Sequence, residues 1–162
     1  MTAASLASLR EMKFINPKDD QPAPQFADIR ETSRRFVILL VALGAAISGL
    51  RPILVHIRAD FMLLSMNQIA NMVSCLRYLS GGRLKVPLVI RAVIGRGWGQ
   101  GAQHSKSLHG VFAHIAGLKV VLPSRPQDAY SLLRAAIRDE NPVIFIEHRW
   151  LYDVPGEVDE TE

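Results

Sequence analysis

The stretch "VPLVIRAVIGRGWGQGAQHS", residues 86–105, joins an apolar run to a glycine-rich loop. Residues 86–94 are apolar on both faces until Arg91, which is typical of a strand inside a parallel sheet. The glycines that follow interrupt regular structure, because glycine takes backbone conformations that other residues avoid. In open α/β sheets, ligands bind where such loops follow the carboxyl ends of strands. The segment therefore predicts a parallel sheet that ends in a functional loop.

Helices and strands alternate on both sides of this segment. Helices are expected from about residue 32 to 50, from an Asp60 N-cap to the glycine pair at 81–82, around 108–115 and after 124. Short β-branched strands are expected at 53–57, 118–123 and 143–148. This alternation predicts an α/β fold of three layers, in which a mostly parallel sheet carries helices on both faces.

The composition suits one globular domain. The chain has 162 residues, of which 49% are hydrophobic and 21% charged. Cys75 is the sole cysteine, which excludes a disulfide framework and favours a reducing cytoplasmic setting. The uncharged run at 36–50 is shorter than the roughly 20 residues that a spanning helix needs, so no membrane role is expected.

The formal charge of +4 is unevenly distributed along the chain. No acidic residue occurs between Asp60 and Asp128, and the basic residues in that interval are Arg77, Arg83, Lys85, Arg91, Arg96, Lys106, Lys119 and Arg125. This basic centre suits an anionic ligand, an acidic partner or a solvated basic face. Nucleic acid is disfavoured, because no recognised nucleic-acid-binding motif is present.

The glycine loop fits none of three known templates well. Gly97, Gly99 and Ala102 match the loose dinucleotide pattern, but the acidic residue expected some 20 positions later is absent. Lys106 lacks the preceding glycine of a phosphate loop. Three histidines spaced five apart, His104, His109 and His114, would point away from one another on a helix, which argues against zinc. A functional and a structural role for His104 both remain open.

Several segments resemble one known family. These are "LGAAISGLRPILVHIRADFMLLSMNQIAN", "RYLSGG", "VPLVIR" and the long run from "GAQHSKSLHG" to "EHRWLYD". Together they cover about residues 36–156 and resemble the beta subunits of 2-oxoacid dehydrogenases, of the pyruvate, branched-chain or acetoin type. The resemblance implies the transketolase-like pyrimidine-binding domain, flanked here by an irregular N-terminal arm at 1–35 and an acidic tail at 157–162.

The resemblance also implies a cofactor and a partner. The cofactor is thiamine diphosphate, shared with an alpha-type subunit that holds the diphosphate and the magnesium. His104 matches the family's active-site histidine, which takes part in proton transfer and acyl handover. Phe61 matches an aromatic residue beside the pyrimidine, and Ile57 lies next to it. The inherited reaction would be oxidative decarboxylation of a 2-oxoacid, in a homo- or hetero-oligomer.

Some members of that family hold a structural potassium ion through backbone carbonyls. The matching positions in this sequence are Leu88, Val89, Ala136, Asp139 and Asn141. An ordinary helix end without a metal is the alternative interpretation.

The chain departs from the family at the position of its activating glutamate. Counting back from "GLRP" places Arg35 there, and a guanidinium cannot accept the hydrogen bond that the glutamate receives. Glu31 lies one turn earlier and would substitute only after a register shift. The sequence is also shorter than the family at both ends. The alternative function is therefore a catalytically inactive, truncated homologue that acts as an interaction or anion-binding module.

Overall fold

The computed structural model describes residues 25–96 and 99–161, with side chains from residue 34 onward. The helices are α1 (Gln25–Ile47), α2 (His109–Ala113) and α3 (Pro126–Arg138). The strands are β1 (Ile53–His56), β2 (Val89–Ile94), β3 (Lys119–Val121) and β4 (Val143–His148). Between β1 and β2 lies a composite helix, residues 59–79, and a 3-10 turn (Arg149–Leu151) follows β4.

The strands of the described chain form one sheet in the order β1-β2-β4-β3. All three pairings are parallel, with Ile53 opposite Val89, and Val89 opposite Val143. β4 therefore inserts between two strands that precede it in the chain. The predicted α/β fold with a parallel sheet is confirmed.

Helices cover both faces of this sheet. On the first face, Leu39 and Leu43 of α1 join Met62 and Ile69 of the composite helix in one core cluster. The strand residues of that cluster are Ile90, Ala92, Ile94, Ile144 and Ile146. On the second face, α3 packs against Val89, Val143 and Phe145. On this second face β1 is less covered than the other strands, since its Val55 is 52% exposed.

Several predicted elements differ from the structure: β2 begins at Val89 rather than at residue 86, and the first helix and the helix after β1 differ further. α1 begins at Gln25, directly after Pro24 and earlier than the predicted residue 32, so part of the expected irregular arm is helical. Residues 1–24 of that arm lie outside the described residues. The helix predicted after β1 is a composite of 3-10 (Ala59–Ser65), α (Met66–Gln68), π (Ile69–Val73) and α (Leu76–Leu79) turns.

The predicted N-cap at Asp60 is wrong. Arg58 occupies the cap position, without a side-chain cap hydrogen bond, and Asp60 lies inside the first 3-10 turn. The carboxylate of Asp60 accepts a hydrogen bond from Lys106 Nζ at 2.9 Å instead. Asp60 therefore forms a tertiary ion pair with Lys106 instead of capping the helix.

The end of the described chain packs along α3. Gln127 Oε1 accepts a hydrogen bond from the backbone N–H of Asp159 at 2.6 Å, and the carbonyl oxygen of Glu160 accepts one from Arg134 at 3.1 Å. Within residues 25–96 and 99–161, no helix is both long and apolar enough to cross a membrane.

Candidate functional site

The candidate site lies at the carboxyl ends of β1 and β2. β1 ends at His56, and the chain turns through Ile57 and Arg58 into the composite helix, which carries Phe61. β2 ends at Ile94, where Gly95 with φ of 84° opens the glycine loop. Arg58 Nη1 donates a hydrogen bond to the carbonyl oxygen of Gly95 at 2.8 Å. A buried guanidinium thus joins the two strand ends that position the site.

The glycine loop is held against the composite helix. Lys106 Nζ contacts Asp60 at 2.9 Å and also donates to the carbonyl oxygen of Gln103 at 3.2 Å. Ser105 Oγ donates to the carbonyl oxygen of Gly101 at 2.6 Å. Gly99 and Gly101 have φ of 66° and 65°, values that favour glycine. These contacts bring His104 to the side of the composite helix that bears Phe61.

Phe61 and His104 form a ring contact. Their ring centroids lie 5.2 Å apart, and the planes are inclined by 35°. Nδ1 of His104 is buried and has no hydrogen-bond partner among the described residues. His104, which the resemblance matches to the family's active-site histidine, therefore lies beside Phe61, which it matches to the aromatic residue at the pyrimidine.

Arg35 lies at the same place. Its guanidinium carbon is 5.3 Å from the centroid of the Phe61 ring, a distance typical of a cation–π contact. α1 passes over the first face of the sheet, and this contact shows that its residue 35 faces the site. The side chain of Arg35 is thus directed at Phe61, and its correspondence to the family's activating glutamate stays a prediction.

His56 is a site residue that the sequence did not single out. Its side chain is 1% exposed, and neither ring nitrogen has a hydrogen-bond partner among the described residues. Burial, and after it the positive charge of Arg35, lower the pKa of His56 to about 4. His56 is therefore neutral at pH 7. A histidine at the very end of a predicted buried strand was the available signal.

The basic centre of the sequence is largely paired in the structure. Six of its eight cations form ion pairs, all of them with carboxylates at the ends of that stretch of sequence or beyond it. The pairs are Arg77–Glu140, Lys85–Glu140, Arg91–Glu147, Lys106–Asp60, Lys119–Asp139 and Arg125–Asp128. Glu140 takes part in two of these pairs, so five carboxylates partly neutralise the basic centre.

Comparison with known proteins assigns the chain to a family. The sequence profile described as "Transketolase, pyrimidine binding domain" matches residues 34–155, which is most of the chain. The chain belongs to the transketolase pyrimidine-binding domain family. The matched range coincides with β1–β4, the composite helix and the glycine loop, so the family match covers every element of the candidate site.

Two similar proteins carry the names expected for this pyrimidine-binding domain. "Pyruvate dehydrogenase E1 component subunit beta" of Porphyra purpurea is 50% identical over 122 residues, covering 75% of this chain and 37% of that protein. "Acetoin:2,6-dichlorophenolindophenol oxidoreductase subunit beta" of Cupriavidus necator is 50% identical over 119 residues, covering 74% of this chain and 35% of that protein. The resemblance to such beta subunits is confirmed. The chain spans little more than a third of their length.

A solved structure supports the fold of the domain. The protein described as "Split gene transketolase, inactive beta4 tetramer" aligns with a TM-score of 0.57 at 20% sequence identity. The alignment covers 71% of this chain and 35% of that one. At this identity the likeness shows that the two chains share a fold.

Ile57 is the third predicted site residue, and it is largely exposed. Its side chain is 68% exposed, just beyond the end of β1. Because successive strand residues alternate between faces, Ile57 projects away from the face on which His56 is buried. Its place beside a pyrimidine stays a prediction.

The carbonyl groups of the predicted potassium site are partly engaged in hydrogen bonds. The carbonyl oxygen of Leu88 accepts from the backbone N–H of Val143 at 2.9 Å. That of Asp139 accepts from Arg51 Nη1 at 3.0 Å. A carbonyl oxygen has two lone pairs, so each retains one for an ion. The set Leu88, Val89, Ala136, Asp139 and Asn141 stays a prediction.

Across the described residues, no group of three or more histidine, cysteine, aspartate or glutamate side chains is arranged to hold a metal ion. A cavity of about 220 Å³ is lined by His56, Ile57 and Arg58 at the end of β1 together with residues of the second face of the sheet. Its wall includes Arg91 and Glu147, which form a bidentate pair through bonds of 3.0 and 2.8 Å. Tyr152 completes this pair, because its hydroxyl donates to Glu147 Oε2 at 2.6 Å.

Proposed function

We propose that this domain supplies the aminopyrimidine side of a thiamine diphosphate site in a 2-oxoacid dehydrogenase, completed by an alpha-type subunit. The observation that carries the proposal is the contact of Phe61 with His104 at the carboxyl ends of β1 and β2. A flat heterocycle packs well against an aromatic ring. The cofactor, when bound, supplies the carbon that attacks the 2-oxoacid, and its magnesium belongs to the partner.

His104 has the properties needed for a proton-transfer residue. Its Nδ1 is buried without a hydrogen-bond partner in the described chain, so no contact of that chain engages this nitrogen. Its loop is tied to the composite helix through the Lys106–Asp60 pair, which limits motion of the ring. A positioned imidazole of this kind typically contributes 10²–10⁴-fold, by order of magnitude, to a rate.

Arg35 sets the expected level of activity. A guanidinium stays charged and only donates hydrogen bonds, so it does not exchange a proton with a ring nitrogen. With Arg35 facing Phe61, we expect decarboxylation by the natural chain to be slow. Restoring a carboxylate there should raise the rate by roughly 10²–10⁴-fold, the usual contribution of an acid–base group.

Native mass spectrometry of the purified chain tests this function first. It is run with thiamine diphosphate and magnesium, alone and with an alpha-type subunit from the same genome. We expect a cofactor-bearing complex only when the alpha-type subunit is present. Arg35→Glu is then assayed for 2-oxoacid decarboxylation beside Arg34→Glu, an exposed neighbour that makes the same charge change.

Two results would contradict the proposal. One is the absence of cofactor under every condition. The other is equal activity of the Arg35→Glu and Arg34→Glu variants, because the rate gain is attributed to the position that faces Phe61.

The potassium hypothesis has a separate test. If the five predicted carbonyl groups hold the ion, replacing sodium by potassium at equal ionic strength raises the midpoint of thermal unfolding. Equal midpoints in both salts would argue for the ordinary helix end.

The alternative function, an inactive interaction module, is favoured by exposed apolar side chains on α1 and β1. Val41 is 66% exposed and Val55 is 52% exposed. Exposed apolar patches mark binding surfaces in many proteins. Self-association in sedimentation experiments without cofactor, abolished by Val41→Lys but not by Val111→Lys, would support this function.

We propose a cytoplasmic location, which rests on Cys75 as the sole cysteine. Imaging of a fluorescent fusion of the full chain in its own cell tests that proposal.

A further inference from the structure

The middle of the glycine loop makes few contacts with the rest of the domain. Gly99 and residues 101–103 are exposed, and a cavity of about 420 Å³ lies against residues 99–102. Segments with few packing contacts are the ones that open and move most easily in folded proteins. The position of His104 therefore depends on how the two ends of this loop are held.

The ring of His148 packs against the start of the loop. A Cβ built on Gly95 would come within 2.6 Å of both Cε1 and Nε2 of His148, so only a glycine fits beneath this ring. Ile94 and His148 lie opposite each other in the β2–β4 pair, and the register of the sheet therefore sets the approach. The far end of the loop is held separately, by the Lys106–Asp60 pair.

Trp150 contacts the next residue of the loop. Its ring centroid lies 4.4 Å from the guanidinium carbon of Arg96, which is a close cation–π contact. The backbone N–H of Trp150 donates a hydrogen bond to His148 Nδ1 at 3.3 Å. His148 and the 3-10 turn that follows it thus contact two consecutive residues at the start of the glycine loop.

We propose that His148 and Trp150 are positioning residues for His104. By fixing the first two residues of the glycine loop, they determine where the loop places the His104 ring beside Phe61. The segment after β4 thus acts on the candidate site through the loop. The catalytic role of His104 rests on the proposed function, but the placement of its ring does not.

Nuclear magnetic resonance of the full-length labelled chain tests this inference, without thiamine diphosphate and without an alpha-type subunit. The readout is the cross-relaxation between ring protons of Phe61 and His104, whose ring centroids lie 5.2 Å apart. Trp150→Ala should weaken these signals. Trp150→Phe, which keeps a ring for the Arg96 guanidinium, should restore them. Leu151→Ala shortens another side chain of the same turn and should leave them unchanged.

Arg96 provides the other half of a double-mutant cycle. Hydrogen exchange of amides 99–105 should rise by roughly two- to fivefold in Arg96→Gln, the change that corresponds to an exposed cation–π contact. Trp150→Ala should have the same effect, and the double variant should exceed neither single variant, because both remove one contact. Arg83→Gln removes an exposed cation elsewhere and should change the exchange by less than about twofold. Arg96→Gln also tests the contact if Trp150→Ala unfolds.

Gly95→Ala tests the contact with His148. The new methyl group would overlap the imidazole ring, so this variant should displace the loop and weaken the Phe61–His104 signals. In a His148→Ala chain the overlap is relieved, and only the strain of the positive φ of Gly95 remains. Gly95→Ala should therefore lower the midpoint of thermal unfolding less in the His148→Ala chain than in the natural chain.

Three results would overturn the inference. They are unchanged Phe61–His104 signals in a folded Trp150→Ala chain, equal weakening by Leu151→Ala, and an equal effect of Gly95→Ala with and without the His148 ring. The amide signals of β2 and β4 verify that each variant is folded. Since none of these experiments uses cofactor or partner, their failure leaves the proposed function standing. Absence of cofactor in native mass spectrometry likewise leaves this inference standing.

Discussion

Arg51 donates a hydrogen bond of 3.0 Å to the carbonyl oxygen of Asp139, which joins the start of β1 to the end of α3. The same nitrogen donates to the carbonyl oxygen of Ile137 at 2.8 Å. The last carbonyl groups of a helix lack partners within the helix and carry partial negative charge. Arg51 therefore places a positive charge beside the partial negative charge at the carboxyl-terminal end of α3.

Arg51→Ala should lower the free energy of unfolding by about 1–2 kcal/mol, because two charge-assisted hydrogen bonds at a solvent-exposed position are lost. Urea unfolding followed by circular dichroism measures the loss. Arg138→Ala removes another cation from the last turn of α3 and should cost less, about 0.3–1 kcal/mol. Equal losses would mean that charge near the helix end, rather than the two bonds, stabilises this region.

Tyr152 should ionise later than an ordinary tyrosine. Burial, followed by its hydrogen bond to Glu147, raises the pKa of Tyr152 to about 12. The folded state therefore keeps a proton that the unfolded state loses near pH 10, so stability falls as pH rises above 10. Ultraviolet difference titration detects the late component, and Tyr152→Phe should remove it. Tyr78→Phe is the control, because Tyr78 is 88% exposed.

His56 should make the domain less stable in mild acid. Since the pKa of His56 is lowered to about 4, the unfolded state binds a proton between about pH 6.5 and 4 and the folded state does not. Stability is therefore lost as pH falls from about 6.5 to 4, by up to about 3 kcal/mol. His56→Phe should flatten urea midpoints over this range, whereas His109→Gln at an exposed position should not.

Arg35→Gln should reduce the loss of stability in mild acid in part, as His56→Phe should reduce it fully. Removing the positive charge of Arg35 should raise the pKa of His56, while burial still holds it below its ordinary value. A titration of the His56 ring by nuclear magnetic resonance measures the change. An unchanged pKa of His56 in this variant would mean that burial alone lowers it.

Gly117 should tolerate no side chain. It has φ of 89°, and a Cβ built there would overlap the carbonyl oxygen of Ser74. Gly49 has φ of 96° with nothing within 4 Å of such a Cβ. Gly49→Ala should therefore cost only the positive-φ strain, about 1–2 kcal/mol. Gly117→Ala should cost clearly more, and equal losses in urea unfolding would show that the backbone near Ser74 yields.

Sequence patterns predicted the strands better than the helix that follows β1. β4 occupies the predicted 143–148, and β2 ends at the predicted Ile94. Runs of β-branched residues identify buried parallel strands because both of their faces must be apolar. The composite helix was predicted as one regular helix, because side-chain periodicity does not report how backbone hydrogen bonds change between 3-10, α and π turns.

The candidate site was predicted only in part. Phe61 and His104 were named from motifs, and the structure places their rings 5.2 Å apart. The buried His56 was not named, because a histidine inside "ILVHI" looks like any strand residue. Its pKa is lowered by burial and by the charge of Arg35, and both arise only when the chain packs.

The sequence by itself determined the class of fold, the order of its elements and the family, since these follow from local apolar patterns and from contiguous motifs. Only the tertiary structure decided that Asp60 pairs with Lys106 rather than capping a helix, and that Arg35 faces Phe61. Both facts join residues far apart in the chain. Their physical reason is the same: burial weakens the competition from water, so charged and polar side chains take the partners that folding brings within reach.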